Sequence, residues 1–286
     1  ADGLYTLSSG SVTARVVAVT GPGTIDMSSG AAVAQMTLSA PAGAKVITPL
    51  TTLIDGAGGA LTVDELKTSL GITVNPLEFN PFAAGVDADQ AVAAEKAAQQ
   101  IATILTTVST MGGGDVTAFT ETVKAIAAKF DGTVVDMSSS AFVGDVLTAS
   151  ISAINTAKKA ADSTAVDIEI SAANTAILTD SIVNVNKILD DMLVSGVNLS
   201  SSAIKNALAT VSQFSESISE ITDFEVLGDL STGGFDNLET VKDALANAAP
   251  TDILLSDNII KANIAAGATI ATARAKDADS DNIDAS

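Results

Sequence analysis

The densest run of side chains able to do chemistry is Asp277-Ala-Asp279-Ser-Asp281-Asn282-Ile-Asp284. Carboxylates at the first, third and fifth positions of a tight loop converge on one point, and an Asn at the sixth can take a left-handed turn. Hard oxygen donors in that pattern suit Ca²⁺, so Asp277, Asp279, Asp281 and Asp284 are the expected metal ligands. The bidentate Glu that an EF-hand carries at its twelfth position is missing. A smaller Ca²⁺ loop, completed by carbonyls or by another segment, is therefore expected. The alternative is a solvated acidic tail that only keeps an alanine-rich chain soluble.

Catalysis has little to work with. The chain has no His and no Cys, which removes imidazole acid–base chemistry, thiolate nucleophiles and most transition-metal sites. Paired carboxylates alone can serve a glycosidase. Sugar sites, however, normally stack on aromatic rings, and this chain has one Tyr and no Trp. Asp190 and Asp191 fall within a predicted helix, where neighbours point to different faces, so they make a poor acid–base pair. The glycine-rich stretch Gly56-Ala-Gly58-Gly59 lacks the Lys-Ser/Thr of a phosphate loop. Gly112-Gly-Gly114 reads as a helix stop. The expectation is a protein that is not an enzyme.

Charge narrows the partners. The formal net charge is −20, the wrong sign for a nucleic-acid binder and for an anionic membrane surface. No stretch is long and apolar enough to span a bilayer, so membrane insertion is not expected. The absence of Cys rules out a disulfide-stapled scaffold without fixing the compartment.

Around these residues the pattern predicts an α+β chain. Residues 1–55 read as short strands at Val12–Val19, Thr24–Met27, Ala32–Leu38 and Ala44–Ile47, separated by Gly/Pro/Ser turns. These are too few for a whole sandwich. Residues 56–262 switch to helical period, opening on a capping box in which Thr62 is followed three residues later by Glu65. Helices are expected at 62–70, Asp87–Met111, Asp115–Phe130, Ser139–Ala161, Ser171–Leu193, Ser200–Ile221 and Asp236–Ala248, forming an Ala-rich bundle. Residues 263–286 return to β, with a strand at Ala268–Arg274 followed by the acidic run.

The segment Ala40-Pro-Ala-Gly-Ala-Lys-Val-Ile-Thr-Pro-Leu-Thr-Thr-Leu53 resembles a module of large secreted bacterial surface proteins. Those proteins carry an Ala-Pro-Ala-Gly-(Ala/Ser)-Thr-Val-Val-(Thr/Ser)-Pro-Leu-Thr-Thr-Leu motif between an Ig-like β domain and an Ala-rich helical region. Lys45 departs from the usual Thr. The likeness continues through Leu70–Pro81 and the following helix. It implies an Ig-like β domain and an extracellular or cell-surface location. Three pieces of that β domain occur here in permuted order. Gly267-Ala268-Thr269-Ile270 and the Asp277–Asp284 loop lie near the C-terminus, and Asp2-Gly3-Leu4-Tyr5-Thr6-Leu7 lies near the N-terminus.

An unfinished sandwich exposes strand edges that invite another chain. If the Gly267–Ile270 strand of one subunit joins the Leu4, Tyr5 and Leu7 strand of the next, the result is β-strand complementation, a heterologous contact that propagates. The same two ends can instead meet within one subunit, or across neighbouring units of a tandem repeat. The expected function is a structural subunit of an extracellular bacterial filament or surface layer, polymerising with itself and stabilised by Ca²⁺. The alternative is an adhesin or ligand-binding module of a giant surface protein, with other cell-surface components as partners.

Overall fold

A computed structural model describes residues 14–20, 24–25, 36–201, 204–206, 208–209 and 211–212, together with strand residues 252–255, 273–276 and 283–284. The chain divides into two compact units, Ala1–Leu238 and Glu239–Ser286. At the level of class it is α+β, mostly helical with small antiparallel sheets.

The first unit opens with an antiparallel ribbon of β1 (Val16–Val19) and β2 (Thr37–Ala40). Val16 lies opposite Ala40 and Val19 opposite Thr37. Among the described residues this is a two-stranded ribbon and not an Ig-like sandwich, and parts of the expected strands, residues 12–13, 26–27 and 32–35, lie outside the described residues. The predicted strand at Ala44–Ile47 is irregular chain. It leads into an unpredicted helix, α1 (Pro49–Gly56), so the helical body starts earlier than the expected boundary at residue 56. Thr48 is the N-cap and Pro49 occupies the first turn, where its missing N–H costs nothing.

The remaining helices start where capping chemistry puts them. Thr62 and Glu65 form the expected reciprocal box at the head of α2 (Val63–Leu70), which Gly71 closes in the left-handed conformation at φ 66°. Asp87, Asp115, Ser139 and Ser171 cap α3 (Ala88–Met111), α4 (Val116–Ala127), α5 (Ser140–Ala161) and α6 (Ala172–Met192). Each side-chain oxygen accepts from a backbone N–H that the helix leaves unpaired. Further helical residues occur at 204–206, 208–209 and 211–212. The expected helix at Asp236–Ala248 lies outside the described residues.

Helix α3 is the spine, packed by α1, α4, α5 and α6. Ile101, Ile104 and Val108 recur at helical spacing on it, are fully buried, and join one core with Leu53, Leu66, Ile126, Val146 and Ile182. Each such side chain contributes about 1.5–3 kcal/mol by leaving water. Small residues let the helices close tightly. A Cβ on Gly112 would sit 2.6 Å from Ala118 Cβ and 2.7 Å from Ile154 Cδ1, so the α3–α4 corner admits only glycine without rearrangement. The glycine triplet is therefore a helix stop, as expected, and a packing contact as well. Among the described residues, no helix is long and apolar enough to cross a membrane.

The second unit contains an antiparallel sheet of β3 (Asp252–Leu255), β4 (Ala273–Lys276) and β5 (Ile283–Asp284), in the order β3-β4-β5. Ile253 lies opposite Ala275, and Arg274 opposite Asp284. The described strand starts at Ala273, near the end of the expected Ala268–Arg274 strand.

Candidate functional site

Most of the residues singled out in the sequence lie outside the described residues: Asp277, Asp279 and Asp281 of the acidic run, Gly267, Ala268, Thr269 and Ile270, and Leu4, Tyr5 and Leu7. Asp284 is placed by its backbone alone, in β5. Among the described residues, no three His, Cys, Asp or Glu side chains gather closely enough to hold a metal ion.

The arrangement best suited to recognition is the β1–β2 ribbon, built by backbone groups that sequence patterning does not reveal. In an antiparallel pair, alternate residues turn their N–H and C=O toward the partner strand or away from it. Thr20 N–H donates to Met36 O at 2.9 Å, which marks the even positions of β1 as facing β2. Val17 and Val19 must then direct their backbone groups to the outer side. Their side chains are 46% and 65% exposed.

The far side of β2 is sealed. Ser39, opposite Val17 and only 3% exposed, turns both backbone groups toward α1. Its N–H donates to Thr52 Oγ1 at 2.9 Å, and its carbonyl accepts from Thr51 Oγ1 at 2.9 Å. Both threonines are buried in the first turns of α1, where the Thr48 cap places them. Arg15, just before β1, reaches Asp55 near the end of α1 at 3.2 Å. The ribbon is thus fastened to the helical body along one edge, leaving β1 as the outer strand among the described residues.

A second polar cluster joins α3, the segment before α5, and α6. Gln100 Nε2 lies 3.1 Å from Asp190 Oδ1, 3.1 Å from Asn186 O and 3.3 Å from Ser138 Oγ. Ser138 donates its hydroxyl proton to Asp190 Oδ2, and Lys96 lies 3.2 Å from Oδ1. Asn186 Nδ2 donates to Met137 O at 2.7 Å. Asp190 faces this cluster while Asp191 is exposed, as expected for helix neighbours. The Ser138 hydroxyl both donates and accepts within the cluster, an arrangement that clasps rather than one that attacks.

A cavity of about 30 Å³ lies between the Asn75–Pro81 loop and α3, lined by Pro76, Phe79, Pro81 and Ala98 among others. That is room for one or two waters and not for a metabolite.

Several carboxylates are tuned by their roles as caps. The Ala118 N–H, and after it Lys158, hold the Asp115 carboxyl below its ordinary value. Thr62 does the same for Glu65, first through its backbone N–H and then its hydroxyl. The hydroxyl and N–H of Thr133 lower Asp131, those of Thr164 lower Asp162, and the Ser195 side chain with the Gly196 N–H lowers Asp89. A carboxyl depressed in the folded state stabilises it above the unfolded pKa, and that stability is lost as pH falls through the folded value. The melting midpoint, followed by circular dichroism, is therefore expected to hold above about pH 5 and to fall steadily below about pH 4. A midpoint unchanged between about pH 5 and pH 2.5 contradicts these assignments.

No protein-family model, curated protein or solved structure matches this chain.

Proposed function

We propose that this protein is a structural subunit of an extracellular bacterial filament or surface layer, assembling head-to-tail by β-strand complementation. The observation that carries the reading is the ribbon itself. Two strands make a marginal sheet, and this pair is pinned to the helical body along β2 while β1 faces outward. An outer strand with exposed valines is a template for another strand. The C-terminal β unit of a second subunit, which includes the segment 263–286, supplies what is missing, and Ca²⁺ held by Asp277, Asp279, Asp281 and Asp284 stiffens the joint. The chemically inert, acidic, Ala-rich composition suits a body that spaces such joints.

The test is sedimentation and negative-stain microscopy of the purified chain in millimolar Ca²⁺ and in chelator. Polymers are expected with Ca²⁺, fewer or shorter ones in chelator, and none after deletion of residues 267–286. A chain that stays monomeric with Ca²⁺ would falsify the assembly reading, and a binding module would then be favoured. Polymers indifferent to chelator would remove the ion and leave the strand contact.

A further inference from the structure

Among the described residues the ribbon offers one acceptor edge and not two, which bears on the polarity of any assembly. We infer that the β1–β2 sheet takes up a strand only along Val16–Val19, through the outward backbone groups of Val17 and Val19, and that the strand comes from the C-terminal unit of a second copy. This rests on the assembly reading above and deepens it by naming the edge.

Three observations converge. The register turns the backbone groups of Val17 and Val19 away from β2. The opposite side of β2 is taken by α1, because Ser39 spends both its N–H and its C=O on Thr52 and Thr51. Growth there would have to displace a helix. The C-terminal unit supplies an edge of matching length. Strand β4 is flanked on both sides, so among the described residues the long outer strand of that sheet is β3, which has 4 residues, as does β1. Joining β1 of one copy to β3 of the next extends both sheets into one. Each chain then carries one acceptor and one donor, and the contact is heterologous, so the polymer has two unlike ends.

Parity gives the experiment. Proline lacks an N–H and is tolerated in a strand only where that N–H faces outward. Val17→Pro therefore leaves the β1–β2 ladder intact and blocks the outer edge, whereas Val17→Thr keeps the N–H and the β-branched shape. With the full-length chain in millimolar Ca²⁺, Val17→Thr is expected to sediment like the parent. Val17→Pro is expected to lose pelletable polymer by about tenfold or more, with its helical circular dichroism unchanged. A folded Val17→Pro chain keeps its donor strand, so adding it in substoichiometric amounts to the parent should shorten the filaments by capping the ends that expose a free acceptor.

If Val17→Pro polymerises like the parent, the edge assignment is wrong while the assembly reading stands. If it neither polymerises nor shortens parent filaments, the one-acceptor, one-donor scheme is overturned. If the parent itself never polymerises, it is the assembly reading that has failed.

Discussion

Replacing Thr51 and Thr52 together by valine is expected to unseat the β-ribbon while the helical core stays folded. Valine keeps the shape of threonine, so the double variant removes hydrogen bonds without opening a cavity. What it leaves behind is Ser39, 3% exposed, with an N–H and a carbonyl that have lost their partners on α1. An unpaired buried polar group costs about 1–3 kcal/mol, so the two together cost roughly 2–6 kcal/mol. The Thr48 N–H also loses Thr51 Oγ1, at 2.9 Å, which weakens the helix cap. The Arg15–Asp55 pair cannot compensate, because Arg15 is 61% exposed and such pairs contribute about 0–1 kcal/mol. The cheapest response is for the ribbon to lift off and let water satisfy Ser39. Amide exchange at Ser39 should accelerate strongly while that of Ile104 stays slow, and the chain near Pro41 should become open to protease. An unchanged Ser39 amide would mean that α1 does not hold the ribbon. Polymer yield should fall with it, since the acceptor strand is then no longer presented.

The parts of the fold legible in sequence were those governed by local chemistry. Thr62, Asp87, Asp115, Ser139 and Ser171 each announced a helix because a cap needs only its own side chain and the next turn. Helix α1 was missed although its signal was present. Thr48-Pro49 is a good N-cap followed by a good first residue, but Val46 and Ile47 before it drew the segment toward β. Strand β2 runs on past the predicted Leu38 to Ala40, because Ser39 finds its partners on α1, 12 and 13 residues away. No periodicity records such a contact. The same threonines give a physical account of the Ala40–Leu53 segment. Pro41–Ala44 forms the turn, with Ala44 N–H to Pro41 O at 3.2 Å, Thr48 caps the helix, and Thr51-Thr52 clamps the strand. The motif reads as a strand-to-helix joint. The β1 edge stayed hidden for the same reason, since which backbone groups face outward depends on register and not on residue type.

The Gln100–Asp190 cluster was equally hidden, its members standing 38, 86 and 90 residues apart, and it carries the other large expected effect. Two descriptions compete: an ion pair between Lys96 and Asp190, or a hydrogen-bonded clasp in which Asp190 collects buried donors. The side chains of Lys96 and Asp190 are 32% and 38% exposed, so the pair itself contributes about 0–1 kcal/mol. Gln100 and Ser138 are buried and both aim at the Asp190 carboxylate. Asp190→Ala strands those donors and is expected to cost about 3 kcal/mol, lowering the melting midpoint by roughly 6–12 °C. Asp190→Asn keeps an acceptor for one of them and should cost about half as much. Lys96→Met keeps an apolar stem of similar length and should cost less than about 1 kcal/mol. The order of the three midpoints decides the matter, and a Lys96→Met loss as large as that of Asp190→Ala would make the ion pair the main term. The clasp outcome has a structural corollary. Asn186 also holds Met137 O, so the segment before α5 is tied twice to α6 and once to α3. Loosening it should raise amide exchange first at 137–139, at the start of α5, before the rest of the bundle opens.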